Sequence, residues 1–289
     1  MEYKQNYINN HDLLAEIHKS KTSYCTFTNP EYHQYDIIVN SIEDITEEVI
    51  EHAKKNRASR LSNKMYVEKK LMGTPVKLSE CEHLFDDIPT SDLIFRIMTN
   101  DHVPVQLSKK KSTKLQSKFQ DDDIETDLEI KKLVEEPTAD KMKINFPPFQ
   151  HWKFNEDNVL CCVGKSHWRG DIEHGCFDQT KGNITTKLAS MMMILAERYA
   201  TKGNLRSYTY NDEMRGQAVI HLIEFGLKFN EARSENAFSY LSQIVKNAMI
   251  RVLNIEERHR NIRDDLLEIN GLNPSYTRMN DNDGSSYHD

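Results

Sequence analysis

The chain has 289 residues and a formal net charge of −7, with 38% hydrophobic and 29% charged residues. Its mean hydropathy of −0.70 is polar for a compact protein. No apolar run approaches the ~20 residues of a membrane-spanning helix, and the N-terminal MEYKQNYINNHDLL lacks an apolar signal-peptide core. We therefore expect no membrane partner. Five cysteines without spaced pairs favour a reducing compartment, here the cytoplasm.

The charge is distributed unevenly along the chain. Residues 187–263 carry a net charge of +4, residues 264–289 carry −5, and residues 1–186 carry −6. The overall negative charge argues against nucleic-acid binding, but a basic segment between acidic flanks is compatible with it. We expect the acidic flanks to weaken binding to free DNA.

The N-terminal part is predicted to be partly helical. Apolar residues at helical spacing predict a short helix over residues 6–20 and another within residues 41–72. Residues 91–99 (SDLIFRIMT) fit a strand or a helix equally well. Residues 21–107 are otherwise an insertion of uncertain structure, and the N-terminal helix, counted as residues 1–20, is assigned to the helical core described below.

Residues 108–143 have an unusual charge pattern. A basic block, SKKKSTKLQSK, precedes an acidic block, QDDDIETDLEIKKLVEEP, almost without aromatic residues. This composition predicts a charged flexible linker, with a solvated helix as the alternative.

Residues 144–183 combine aromatic residues with turn formers. The segment holds both tryptophans, Trp152 and Trp168, together with a Pro-Pro pair and several glycines. Such a mixture predicts an irregular or β-rich element that packs against another part of the protein.

The sequence becomes strongly helical after residue 184. Apolar residues recur with a period of 3.6 in three segments, which predict helices over residues 184–203, 210–228 and 234–260. Three such helices can share one compact core. We therefore predict a mainly α fold with a helical core at residues 184–263.

A further short helix is predicted near residues 262–270. Gly271 is a suitable terminating residue, and Pro274 prevents continuation. Residues 264–289 are thus expected to form an acidic C-terminal helix and tail.

Cysteine and histidine residues cluster between positions 161 and 176. Zinc sites usually contain two ligands that converge from one turn, as in CxxC or HxxxH. Adjacent cysteines point in different directions, so packed or surface roles are favoured over zinc, and no metal or cofactor is predicted. The cluster comprises Cys161, Cys162, His167, His174 and Cys176.

The sequence contains none of the common catalytic motifs GxSxG, GxxxxGK[ST], GxGxxG and HExxH. Cys176 lies close to His174, but neighbours in sequence need not face each other in space, as a thiol nucleophile and its base must. We predict no enzymatic activity and no catalytic residue.

Two polar helix faces are candidate binding surfaces. The first is acidic-polar and either is solvated or docks a basic partner helix; it comprises Asp212, Glu213, Gln217 and Glu224. The second combines cations, amides and aromatic residues, which suits phosphates and base edges. Its candidate DNA-binding residues are Phe238, Tyr240, Gln243, Lys246, Asn247, Arg251 and Arg258. Tyr240 also lies on the apolar stripe, which favours a core position.

Residues 210–254 resemble region 2 of bacterial RNA polymerase sigma factors. In both, an acidic-polar helix ends in a Lys-Phe pair, here Lys228-Phe229, and an aromatic pair, here Phe238 and Tyr240, opens a basic helix. The similarity is greatest to the late-transcription sigma factors of T-even-type phages, especially those of cyanobacterial myoviruses. QNYINNHDLL, GKSHWRGD and NIRDDLLEINGLNPSYTR resemble segments of the same group.

The resemblance implies a sigma-like initiation factor without a cofactor. Such a factor binds the host core RNA polymerase, directs it to AT-rich −10-like phage late promoters and assists promoter melting. In the family, the acidic-polar face docks on the clamp helices of the largest polymerase subunit, and the next helix reads the promoter and holds the displaced strand. A phage coactivator and the sliding clamp are further partners that the resemblance implies.

The sequence departs from this family in three places. Primary sigma factors have a tryptophan pair where this chain has Gln243 and Ile244, so the usual aromatic wedge is absent. No second helix-turn-helix follows residue 278, so we expect no −35 recognition. The terminal NDNDGSSYHD offers only Tyr287 of an apolar-acidic clamp motif, which argues against clamp binding through this tail.

Three alternative functions remain open at the level of sequence. A stand-alone DNA-binding regulator would use the same basic helix and would bind promoters tightly without polymerase. A polymerase-binding accessory protein would not contact DNA at all. A zinc-dependent nucleic-acid enzyme would require metal within residues 161–176.

Overall fold

The computed structural model of the protein describes residues 8–73, 77–81, 85–107, 139–141, 144–276 and 278. Within them, no helix is both long and apolar enough to cross a membrane. The chain divides into two compact units. We call them the helical unit (Met1–His18, Ile184–Phe229 and Ser234–Asp289) and the sheet unit (Lys19–Asn183 and Asn230–Arg233).

The described residues form five α-helices and nine β-strands. The helices are α1 (Asn10–Thr22), α2 (Glu47–Leu71), α3 (Thr186–Ala200), α4 (Asn211–Phe225) and α5 (Ala237–Ile269). The strands are β1 (Cys25–Phe27), β2 (Ile37–Val39), β3 (Ile94–Ile97), β4 (Val105–Leu107), β5 (Ala139–Lys141), β6 (Gln150–Phe154), β7 (Leu160–Ser166), β8 (Trp168–Arg169) and β9 (Cys176–Phe177).

The helical unit is built on apolar stripes that recur every three or four residues. Helix α3 is capped at its N-terminus by Thr185, whose hydroxyl accepts a hydrogen bond from the Leu188 amide at 3.3 Å. The helices predicted after residue 184 are confirmed in position. Residue type alone would place Ile220 and Ile223 on the buried side of α4, but these side chains are 54% and 55% exposed. Helix α4 instead buries the regularly spaced Met214, Ala218 and Leu222.

The predicted break between residues 260 and 262 is wrong, because α5 is one continuous helix of 33 residues. Nothing in the sequence there breaks a helix until Gly271, which adopts a positive φ of 71° just beyond the end. The chain then returns along α5: the amide and hydroxyl of Ser275 both donate to the Asp264 carboxylate, at 3.0 and 2.7 Å. Arg278 pairs with Asp265 at 2.6 Å.

The sheet unit contains a five-stranded mixed sheet in the order β1-β7-β6-β3-β2. Strands β2 and β3 are parallel, and the other neighbours are antiparallel. The predicted mainly α fold is therefore wrong, and the protein combines α-helices with a substantial sheet. Residues 144–183, predicted to be irregular or β-rich, contain strands β6 to β9.

The sheet is not evident from local sequence patterns, for physical reasons. Its strands are short and come from distant parts of the chain, so no local window displays their pairing. Strand β3 is buried at all four positions, Arg96 included, and therefore lacks the alternation of a half-buried strand. A charged residue in an apolar run normally indicates an exposed position. Arg96 is buried instead, because the groups that bind its guanidinium are distant in sequence.

A cluster of charged and aromatic side chains lies inside the sheet unit. The Glu231 carboxylate pairs with Lys21 at 3.0 Å and with Arg96 at 3.1 Å, and both cations are almost fully buried. The Arg96 guanidinium lies between the rings of Tyr35 and Phe149, at 3.8 and 3.9 Å from their centroids. Burial lowers the pKa of Lys21, while the Glu231 carboxylate acts in the opposite direction.

His151 completes this buried cluster. Its Nε2 accepts a hydrogen bond from Arg96 Nε at 3.0 Å, and its Nδ1 lies 2.7 Å from the Tyr32 carbonyl oxygen. Since Nε2 acts as an acceptor, the ring is neutral and carries its proton on Nδ1, which donates to Tyr32. The buried polar groups of this cluster thus satisfy one another, as a stable interior requires.

The predicted linker over residues 108–143 lies outside the described residues, except for Ala139–Lys141. These three residues form β5 and pair antiparallel with Val105–Leu107. Tyr287, the candidate clamp contact, also lies outside the described residues.

Candidate nucleic-acid interface

The start of α5 is held by two asparagine side chains of the helical unit. Asn236 caps the helix by accepting a hydrogen bond from the Ser239 amide at 2.9 Å. Asn10 accepts from the Phe238 amide at 3.0 Å and donates to the Glu235 carbonyl at 2.8 Å. Because the first turn is bound on both sides, the direction in which α5 leaves the loop is well defined.

A buried stripe sets the rotation of α5 about its axis. Leu241 and Val245 are fully buried, and Val252 is nearly so. Close packing on this side requires a small residue directly after α4, since a Cβ at Gly226 would lie 2.5 Å from Met192 and 3.4 Å from Leu241. The opposite side of α5 is consequently turned outward.

This outward side presents amide and guanidinium groups around a shallow depression of about 440 Å³. The residues that line it are Asn247, Ile250, Arg251, Asn254, Ile255 and Arg258. Positions 247, 251, 254 and 258 follow the 4-3-4 spacing of one helix face. We call these four polar residues, together with Gln243 one turn earlier, the α5 stripe; it therefore has five members.

The α5 stripe is polar, positively charged and accessible. Among the described residues, Arg251 and Arg258 form no ion pair, whereas Arg260 lies 3.9 Å from Glu257 on another side of the helix. Gln243 donates to the Asn247 side-chain oxygen at 2.7 Å, so the Asn247 amide nitrogen is not used in this hydrogen bond. The chemistry suits a polyanion that also offers hydrogen-bonding edges.

The structure brings together four of the seven predicted DNA-binding residues: Gln243, Asn247, Arg251 and Arg258. Lys246 is exposed on the adjoining flank. Phe238 is 38% exposed but lies about 180° around the helix from Asn247, because nine residues separate them. It therefore does not belong to the α5 stripe.

Tyr240 is held inside the helical unit. Its hydroxyl donates to the Phe225 carbonyl oxygen at 2.9 Å, and its ring lies 5.4 Å from that of Phe229. Burial raises the pKa of the Tyr240 hydroxyl. These contacts favour a structural role over base stacking.

Three residues that line the depression were not predicted as binding residues: Ile250, Asn254 and Ile255. Asn254 could have been found, because it continues the spacing from Asn247 and Arg251 to Arg258. The two isoleucines resembled core residues by type, and only the packing of α5 shows that Ile250 is 41% exposed.

The acidic-polar face on α4 is narrower than predicted. Glu213, Gln217 and Glu224 share one side, and Gln217 donates to Glu213 at 3.1 Å. Ile220 adds exposed apolar surface between them. Asp212 lies about 100° away around the helix and pairs with Arg215 at 3.0 Å.

The cysteine and histidine residues between positions 161 and 176 do not converge on one point. Cys161, Cys162 and His174 line a cavity of about 690 Å³ in the sheet unit, but His167 is buried elsewhere in that unit. Among the described residues, no three His, Cys, Asp or Glu side chains are arranged to hold a metal ion.

His167 is enclosed by aromatic rings. Its ring centroid lies 4.1 Å from that of Phe146 and 5.9 Å from that of Phe177. Its Nε2 is buried without a hydrogen-bond partner in the described part of the chain. Burial lowers the pKa of His167 to about 4, so the ring is neutral at pH 7.

Comparison with known proteins adds no relative from which a role could be transferred: no family model, no curated protein and no solved structure matches this chain.

Proposed function

We propose that this protein is a sigma-like initiation factor. It binds a bacterial core RNA polymerase through α4 and directs it to AT-rich −10-like promoters through α5. The observation that carries the proposal is the α5 stripe, in which cations and amides are exposed side by side on a rigid helix. The resemblance of residues 210–254 to sigma region 2 supports the same reading.

The two faces of the helical unit suit two different partners. Glu213 and Glu224, with exposed Ile220 between them, suit a basic and partly apolar helix such as the clamp helices of the polymerase. The α5 stripe suits phosphates and base edges of promoter DNA. Strand separation requires unstacking of a few kcal/mol per base, which AT-rich DNA reduces.

The test is run-off transcription with core polymerase on AT-rich −10-like templates, with and without the protein. The proposal predicts promoter-specific transcripts only in its presence. Arg251→Ala and Asn247→Ala are each expected to lower the yield by about 5- to 150-fold, since one good base contact contributes ~1–3 kcal/mol. Arg260→Ala is the matched control, because this residue lies on the same helix outside the stripe.

The polymerase contact is tested by binding of labelled protein to core polymerase without DNA. Charge reversal by Glu213→Lys and Glu224→Lys should weaken binding, while Glu197→Lys, also exposed but on α3, should not. Tight promoter-specific binding without polymerase would instead support a stand-alone regulator. Normal transcription by the Arg251→Ala and Asn247→Ala variants would refute the role of α5.

A further inference from the structure

Within the part of the chain that the structure describes, the densest positive charge lies on α2 rather than α5. Residues 54–70 contain seven Lys or Arg residues and one acid, Glu68, so this segment carries +6 while the whole chain carries −7. No Asp or Glu occurs from residue 52 to residue 67. Cations on a helix in an otherwise acidic protein repel one another, which is a cost that a bound anion would remove.

One side of α2 is committed to the sheet unit. Ala53 and Ala58 pack in an apolar cluster with Phe95. Arg60 pairs with the buried Asp36 carboxylate at 2.6 Å and donates to the Tyr35 carbonyl at 2.6 Å. These contacts hold the helix in one orientation and use part of its charge.

The other side of α2 carries a continuous polar stripe. Its positions, Lys55, Ser59, Asn63, Tyr66 and Lys70, follow the 4-4-3-4 spacing of one helix face. Four of them are exposed and Tyr66 is half-buried. The Lys70 ammonium lies 5.8 Å from the Tyr66 ring centroid. We call this row the α2 stripe; it spans about 22 Å at a rise of ~1.5 Å per residue.

We propose that the α2 stripe, with half-buried Lys69 on its flank, binds the phosphodiester backbone of duplex DNA without reading its sequence. Ammonium groups neutralise phosphates, while hydroxyl and amide groups donate hydrogen bonds to phosphate oxygens. Duplex DNA presents one negative charge per ~1.7 Å of its axis, so a row of this length passes several phosphates. This surface is independent of the α5 stripe.

The residues between the cations favour DNA over an anionic membrane. A helix that lies on a membrane inserts an apolar face, but the small apolar residues Ala53 and Ala58 face the protein core. Serine and asparagine on the outward face would gain nothing in lipid. Val67 and Leu71 are exposed near the end of the helix, so vesicle binding is included as an outcome of the test.

The test compares two triple variants of the full chain with equal loss of charge. One carries Lys55→Gln, Lys69→Gln and Lys70→Gln on α2. The control carries Lys202→Gln, Arg206→Gln and Arg233→Gln, which are exposed positions outside both stripes. Affinity for a fluorescent AT-rich −10-like duplex and for a scrambled duplex is measured by anisotropy between about 50 and 200 mM salt.

The α2 variant should bind both duplexes more weakly, by about fivefold or more at the lowest salt. The slope of log affinity against log salt should fall by up to ~0.9 for each lost phosphate contact. The control variant should have nearly the affinity and salt slope of the wild type, apart from a small decrease in affinity caused by its more negative net charge. Equal salt slopes for the two triple variants would overturn the proposal. It would also be overturned if the α2 variant lost binding to phosphatidylglycerol vesicles while its binding to DNA was unchanged.

A second variant guards against misfolding. Ser59→Glu with Asn63→Glu adds negative charge at two exposed positions and should reduce DNA affinity while the melting temperature stays near that of the wild type. The outcome is separable from that of the proposed function. If Arg251→Ala leaves transcription unchanged but the α2 variants lower the salt slope, the sigma-like role fails and the α2 stripe remains.

Discussion

The two units of this protein are stabilised by different kinds of interior. The helical unit buries apolar stripes such as Leu241, Val245 and Met214, whereas the sheet unit buries Lys21 and Arg96 around one carboxylate. In an apolar interior, the free-energy cost of truncating a side chain grows with the volume that is removed. In a buried ionic cluster, removal of one group also leaves each remaining charge without its partner.

The largest effect should follow from Glu231→Gln, which removes the carboxylate shared by Lys21 and Arg96. We expect a loss of about 3–5 kcal/mol in the free energy of unfolding, since two buried cations lose their counter-charge. Urea denaturation measures the loss, and hydrogen exchange at Ile94–Ile97 shows whether the sheet unit is affected. Glu235→Gln, at an exposed position, is the matched control and should change stability by less than about 0.5 kcal/mol.

Leu241→Ala tests the apolar interior of the helical unit. Leu241 is fully buried, so truncation should cost about 2–5 kcal/mol, depending on how far the site collapses. Ile262→Ala on the same helix removes a half-exposed side chain and should cost far less. The contrast between the units would be broken if Leu241→Ala destabilised the protein more than Glu231→Gln.

Acid should destabilise the sheet unit through His167. Its pKa is about 4 in the folded protein and ~6.5 when unfolded, so the unfolded state binds more protons between these pH values. Stability should therefore fall by roughly 2 kcal/mol between pH 7 and pH 5. His167→Asn, which removes the titrating ring and tolerates the positive φ of 52°, should flatten the dependence. His174→Asn, at an exposed position, should leave it unchanged.

The smallest effect is expected at the cap of α5. Asn236→Ala removes the acceptor of the Ser239 amide and should cost about 1 kcal/mol. The same substitution at Asn261, exposed within α5, should instead be neutral or slightly stabilising, because alanine is the better helix former. Thermal unfolding of the two variants shows whether the sign reverses as expected.

The helical unit was predictable because its signals are local. Apolar positions three and four residues apart display the buried side of α3 and α5 within a single segment, and polar residues on α5 reveal an exposed face. The exposure of Ile220 and Ile223 on α4 was not predictable in this way, because residue type does not reveal which apolar side chains pack against a neighbour.

The sheet unit was not predictable from local patterns. Strands β3 and β6 pair across more than 50 residues, with Arg96 opposite His151. The carboxylate that neutralises Arg96 comes from residue 231, still farther along the chain. Only tertiary structure could show that these charged residues are buried, since the free energy that permits their burial comes from partners that are distant in sequence.

The sequence by itself determined the helices after residue 184, the polar face of α5 and the uneven distribution of charge. These features depend on the period of the helix and on the residues within a few turns. Tertiary structure alone decided that the fold is mixed, that Tyr240 is held inside, and that α2 turns its lysines outward. Each of these depends on which surfaces pack together, and packing joins residues that the order of the sequence keeps apart.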